Sequence, residues 1–145
     1  MKKLIVLLFI LMLSVSSICN AFEPPNPNRW LWVDSDDKFG VWIDIQTIKA
    51  SKDTDRYSST YGCRFIKAWE MRYHADTNTY YIVNTEYNLD RRLRRTLSVT
   101  KYDDSGNAIS SNNNRSRYYP IIPGSWGEVI LTCMEVLYDL ETNNP

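Results

Sequence analysis

The amino-acid sequence predicts an α+β domain, an antiparallel β-sheet with a C-terminal α-helix packed on one face. Three observations carry that prediction. β-branched and aromatic residues alternate with polar ones between Trp30 and Tyr102, the period of half-buried strands. Polar turn clusters interrupt the alternation at residues 35–39, 75–78 and 103–106. Beyond Pro120 and Pro123 the apolar spacing changes to three and four residues, the period of a helix.

At 145 residues the chain has room for one domain. Met1-Lys2-Lys3 precedes an unbroken apolar run from Leu4 to Leu13, which is shorter than the roughly 20 residues that span a bilayer and has the length of a signal-peptide core. Small residues at Cys19 and Ala21 suit cleavage after Ala21. The expected plan is therefore a signal peptide over 1–21, a Pro-rich spacer over 22–29 and a single domain over 30–142. A lipid anchor at Cys19 is the weaker reading, because Ile18 stands where a lipoprotein signal needs a small residue. The expected location is outside the cytoplasm, in the periplasm, on the cell surface or in the medium.

Residues 30–34 and 40–45 form a first hairpin about the polar turn between them. Residues 46–59 are a polar connection whose one large aliphatic residue is Ile48. A long central strand follows over 63–73, with Cys63, Phe65, Trp69, Met71 and Tyr73 on the face expected inward and Arg64, Ile66, Ala68, Glu70 and Arg72 on the outer face. In the next strand, 79–89, Tyr81, Val83, Tyr87 and Leu89 point inward. Residues 91–102 form another strand, and Asp103-Asp-Ser-Gly106 turns it back into 107–110. The polar run 111–117 is an exposed loop. Ser125, with Glu128 three residues on, then forms a capping box. The helix beyond it carries the stripe Trp126, Ile130, Cys133, Leu137 and Leu140, expected to face the sheet.

Two cysteines remain after the leader, Cys63 on the expected inner face and Cys133 on the expected buried stripe. In an oxidising compartment a disulfide between them would close a loop of about 70 residues and stabilise the fold by roughly 4 kcal/mol in the chain-entropy model. Two buried free thiols are the alternative.

Several function classes fall away. His74 is the single histidine, so no multi-histidine metal site exists, and it reads as a strand-end residue. The acidic runs Asp34-Ser-Asp-Asp37 and Asp103-Asp104 lack the glycine and closing Glu of a calcium loop and read as turns. Five glycines include no phosphate-cradling run, and the carboxylates scatter over turns and the outer helix face. Neither catalysis nor a cofactor nor a metal is expected. Lys2 and Lys3 are the only charged residues of the leader, so its removal takes the formal charge from 0 to −2, and no nucleic-acid partner is expected.

Arg91-Arg-Leu-Arg-Arg95 is the most concentrated charge. On a strand Arg92 and Arg94 point one way while Arg91, Leu93 and Arg95 point the other. Arg92 and Arg94, together with Arg115, Arg117, Tyr118 and Tyr119, form the candidate partner-binding surface, expected on the side of the sheet away from the helix, and Arg64 and Arg72 are expected nearby in the sheet. Five Trp and ten Tyr, more than a small core hides, fit such a surface. A solvated, aggregation-resistant strand is the bland alternative.

The order of these features, Trp30 and Trp32, Val41-Trp-Ile-Asp44, the Trp69 strand, Tyr102-Asp-Asp-Ser-Gly106 and Ile122-Pro-Gly-Ser-Trp-Gly-Glu128 before a cysteine-bearing helix, resembles the surface-adhesin protein E family of small bacterial envelope proteins. The likeness runs from about Trp30 to Tyr138. It implies a sheet crossed by a C-terminal helix and a binding role toward host cells or matrix glycoproteins, without catalysis. A periplasmic structural or accessory domain with no host ligand is the alternative.

Overall fold

The computed structural model describes residues 26–143. The expected signal peptide, including Cys19, and the first residues of the expected spacer lie outside them. Within them β1 (Trp30–Ser35) and β2 (Phe39–Asp44) form the first hairpin. Asp36 closes it by accepting the N–H groups of Lys38 and Phe39 at 2.8 and 2.7 Å, so this acidic run serves a turn. β3 (Lys49–Lys52) lies in the polar connection, followed by β4 (Arg64–His74), β5 (Thr79–Asn88), β6 (Leu93–Tyr102) and β7 (Ala108–Asn112). At the β6–β7 turn Asp103 accepts Ser105 and Asn107 N–H groups. β8 (Tyr119–Pro120) and the helix α1 (Trp126–Asn143) complete the chain.

The eight strands form one antiparallel sheet whose main path is β1-β2-β4-β5-β6-β7. Two short strands fill it out. β3 pairs with the first half of β4 while β2 pairs with the second, and β8 likewise takes the start of β6 while β7 takes its end. The sequence Lys-Ala-Ser-Lys offers no apolar alternation, so β3 exists because the exposed edge of β4 supplies its hydrogen bonds.

Register decides which side of the sheet is the core. Ala50, Ile66, Tyr87, Arg94 and Tyr119 are successive cross-strand neighbours and therefore share a face. Leu31, Ile43, Glu70, Val83 and Val99 form a second row on it, and Asp34, Val41, Arg72, Tyr81 and Lys101 a third. The helix packs here, over Val41, Ile43, Ile66, Ala68, Tyr87 and Leu89, through Ile130, Leu131, Met134 and Tyr138. The inward face expected for β5 holds. For β4 the expectation is reversed: Ile66 and Ala68 are core residues, while Phe65, Trp69, Met71 and Tyr73 belong to the far side. Alternation within β4 favours the aromatic set. Its neighbours settle the matter, because only the even residues of β4 meet Val41, Ile43, Val83 and Tyr87.

Four residues of the expected helix stripe face the sheet, Ile130 within the core and Trp126, Cys133 and Leu137 packed against it, but the buried face extends beyond them. Gly127, Ile130, Leu131, Met134 and Tyr138 are buried, whereas Leu140 is 53% exposed. Its start also differs from a reciprocal capping box. The Ser125 hydroxyl donates back to the Ile122 carbonyl at 2.6 Å, and the Glu128 carboxylate accepts the Gly124 N–H at 2.7 Å. Gly124 has φ 74, which a residue with a side chain resists.

Cys63 and Cys133 are free thiols, a correction to the expected disulfide. Cys63 precedes β4 on the odd side of its alternation, away from the core residues Ile66 and Ala68. Its neighbour Arg64 stacks on Tyr138, 5.7 Å from the ring centre. Cys133 lies five residues earlier on the helix, near Asp34 of β1, where burial and that carboxylate push its thiol pKa up.

Candidate functional site

On the helix side of the sheet, Arg72, His74, Tyr81, Val83, Thr96 and Val99 line an open cavity of about 270 Å³. Beneath it lies a fully buried carboxylate. Glu70 accepts the Arg72 Nε and Nη2 hydrogens at 3.0 and 2.5 Å and the Tyr87 hydroxyl at 2.6 Å. Alternation puts Glu70 and Arg72 on the same face two residues apart, so the ion pair is built from strand geometry alone, and Tyr87, opposite Ile66 on that face, reaches Glu70 with the end of its long side chain. Burial of the Arg72 guanidinium works against its charge, but Glu70 outweighs this and its pKa rises. Burial and the adjacent Glu70 hold the Tyr87 phenol well above its ordinary range.

A second cavity, of about 330 Å³, is lined by Arg94, Pro120, Ile121, Ile122, Gly124, Ser125, Trp126 and Gly127. Edge-to-face contacts connect the two. Trp126 meets Phe39, Phe39 meets His74 and His74 meets Tyr81, with ring centres 5.0, 5.0 and 5.2 Å apart. Lys101 caps the row, 5.5 Å from the Tyr81 ring centre. Neither cavity has a carboxylate in its lining. Partial burial and the Arg72 charge lower the His74 pKa, which favours a neutral ring. Arg94 and Lys101 have no carboxylate partner among the described residues, so the groove presents cations over an aromatic floor.

The six residues expected to bind a partner do not form one surface. Arg94 and Tyr119 are cross-strand neighbours on the helix side. Arg92 lies in the turn before β6 with φ 52, ion-paired to Glu128. Arg115 and Arg117 are exposed in the loop before β8. Tyr118 points the other way, its hydroxyl on Glu86 and its ring under Arg95, 4.4 Å from ring centre to guanidinium. The groove residues Tyr81 and Lys101 escape a sequence reading as site residues, because only register unites them with Arg72 across three strands. His74 stands at a strand end as expected and is exposed, but it belongs to the aromatic row.

The far face carries a row of its own, Trp32, Trp42, Met71 and Ile82, with Tyr80 and Tyr102 stacked 5.0 Å apart beside it. Glu86 gathers the charges there. It takes Lys67 at 3.0 Å and Arg95 Nε at 2.6 Å, together with Tyr118. Burial pushes the Glu86 carboxyl up, but hydrogen bonds from Tyr118 and Lys67 and the Arg95 charge bring it below the ordinary value. A depressed folded pKa contributes stability that is complete above the unfolded value of about 4.3 and disappears as pH falls through the folded one. Denaturant titrations from about pH 5 to about pH 2 should therefore show a smaller stability loss in Glu86→Gln than in the unaltered protein.

Among the described residues there is no cluster of three or more metal-ligating side chains, and no helix is long and apolar enough to cross a membrane. No family model, curated protein or solved structure matches the chain.

Proposed function

We propose that the chain is an exported envelope protein of adhesin type, which binds an acidic segment of a host matrix glycoprotein or cell-surface protein in the groove beside α1. One observation supports this reading most. Among the described residues Lys101, over the Tyr81 ring, and Arg94, which lines the adjoining cavity with Trp126, have no carboxylate partner, while Glu70 is buried and bound by Arg72 and Tyr87. Cations beside aromatic rings are the composition of protein-recognition surfaces. The sequence likeness to the protein E family points to the same class of partner, and the leader supplies export.

The groove replaces the far face as the binding surface, because Arg94 and Tyr119 lie on the helix side. Binding of the processed protein to immobilised matrix glycoproteins and to epithelial cells tests the proposal. Arg94→Glu combined with Lys101→Glu should weaken binding at least about tenfold, on the order of 1.4 kcal/mol. No binding to any matrix protein or cell removes the adhesin reading. Binding lost only in Arg115→Glu with Arg117→Glu moves the contact to the loop.

A further inference from the structure

Where β2 stops pairing with β4 and β3 begins, the sheet is left open. β2 accompanies β4 from His74 back to Glu70 and β3 from Lys67 back to Arg64, so the β4 edge at Ala68 and Trp69 has no strand on that side. Residues 45–48 carry the chain past the gap, and the Trp69 N–H reaches the Thr47 hydroxyl oxygen at 3.4 Å. On the far face Gln46, Thr47, Lys49, Lys67, Trp69 and Asn84 line a cavity of about 390 Å³. Its rim is held in place. Thr47 donates its hydroxyl to the Asp44 carbonyl at 3.1 Å, and the buried Asp44 carboxylate accepts the Gln46 N–H at 3.1 Å and the Arg29 guanidinium at 2.6 Å.

Register arranges the lining. Trp69 and Asn84 are cross-strand neighbours, and so are Lys49 and Lys67, one row away on the same face. Like charges set directly opposite each other repel. Glu86 offsets Lys67 at 3.0 Å, but it is shared with Arg95, and Lys49 has no acidic partner among the described residues. The row Lys49, Lys67, Glu86 and Arg95 therefore sets three cations against one acid, and no carboxylate lines the cavity. An anion seated there relieves the repulsion.

The rest of the lining narrows the choice of anion. The Gln46 and Asn84 amides each carry donors and an acceptor, and neither side chain makes a hydrogen bond among the described residues. Trp69 supplies a flat apolar wall. A pyranose ring has the matching halves, C–H faces that lie on an indole and hydroxyls that both donate and accept. An inorganic anion has no apolar face, and a bare carboxylate has no ring of hydroxyls. Neither uses Trp69 and the two amides together.

We propose that this cavity binds an acidic pyranose, a sugar residue with a carboxylate on its ring, the C–H face on Trp69, the hydroxyls on Gln46 and Asn84 and the carboxylate on Lys49 and Lys67. The site lies on the opposite side of the sheet from the groove beside α1 and does not depend on it.

Titration of the processed protein with glucuronate, followed by NMR of the indole and side-chain amide N–H groups, tests the assignment. Glucuronate should shift the Trp69 indole and the Asn84 amide with a Kd on the order of millimolar, as suits a small ligand in an open site. Glucose should bind at least about fivefold more weakly, and added salt should narrow that gap. Lys49→Glu should weaken glucuronate binding at least about tenfold and abolish the preference for the acid. Asn84→Ala should weaken both sugars alike. No shift at either residue overturns the proposal, as does equal affinity for glucose and glucuronate in the unaltered protein. Acetate or phosphate acting as strongly as glucuronate reveals an adventitious ion only and also overturns it. Shifts confined to Tyr81, Arg94 and Lys101 overturn it by placing the sugar in the groove. Should Lys49→Glu fail to fold, Lys49→Gln decides, and an undiminished preference for the acid there overturns the assignment.

Discussion

Glu70→Ala should cost about 3–5 kcal/mol of folding stability, measured as the unfolding free energy in urea. The magnitude follows from what the substitution leaves behind. Glu70 is 0% exposed, and its carboxylate holds the Arg72 guanidinium and the Tyr87 hydroxyl. Removing it strands a largely buried cation and a buried phenol without their acceptor. A pair of this kind need not stabilise the fold over apolar residues of equal volume, because desolvating two ions offsets most of their attraction. Glu70→Leu with Arg72→Leu should therefore cost markedly less than Glu70→Ala alone. A double variant as unstable as the single one would show that packing volume, not the stranded charge, sets the loss. Glu70→Gln should fall between them, since an amide oxygen still accepts hydrogen bonds but leaves the guanidinium uncompensated.

The same pair shows how far the sequence could be read. The α+β class, the meander from β4 to β7 and the C-terminal helix were legible from alternation and period, because each is a local property of its segment. What sequence could not fix was the relation between segments. In β4, Phe65, Trp69 and Met71 outweigh Ile66 and Ala68 in apolar surface, so the strand alone favours the wrong face. Pairing with β2 and β5 puts Val41, Ile43, Val83 and Tyr87 on the even side, and a shift of one residue would reverse every contact. Glu70 and Arg72 are tolerated there because each neutralises the other, a compensation invisible until both are placed. The candidate groove was half legible for the same reason. Arg72, Arg94 and Tyr119 stood out as part of an Arg and Tyr excess, whereas Tyr81 and Lys101 come from separate strands with nothing in their spacing to join them to the arginines. Tyr118 and Tyr119, adjacent in sequence, end on opposite faces.

Met134→Ala should lower the unfolding free energy in urea by about 2–5 kcal/mol, while Leu140→Ala should stay within about 0.5 kcal/mol. The pair distinguishes the stripe expected from spacing from the face that the sheet covers. A stripe read from spacing, Trp126, Ile130, Cys133, Leu137 and Leu140, includes Leu140 and omits Met134. In the fold Met134 is 0% exposed beside Ile130 and Leu131, and Leu140 is 53% exposed. Both stripes repeat every three and four residues, so period cannot choose between them. Apolar side chains run more than halfway round α1, and a broad apolar arc leaves the rotation to the sheet. The acidic Glu128, Glu135 and Asp139 exclude one flank from the core. The shape of the surface formed by Val41, Ile43, Ile66 and Tyr87 then selects Met134 and Leu131. Truncating Met134 removes contacts from a close-packed site and leaves a cavity that the rigid sheet beneath cannot fill, which places its cost in the upper part of the range.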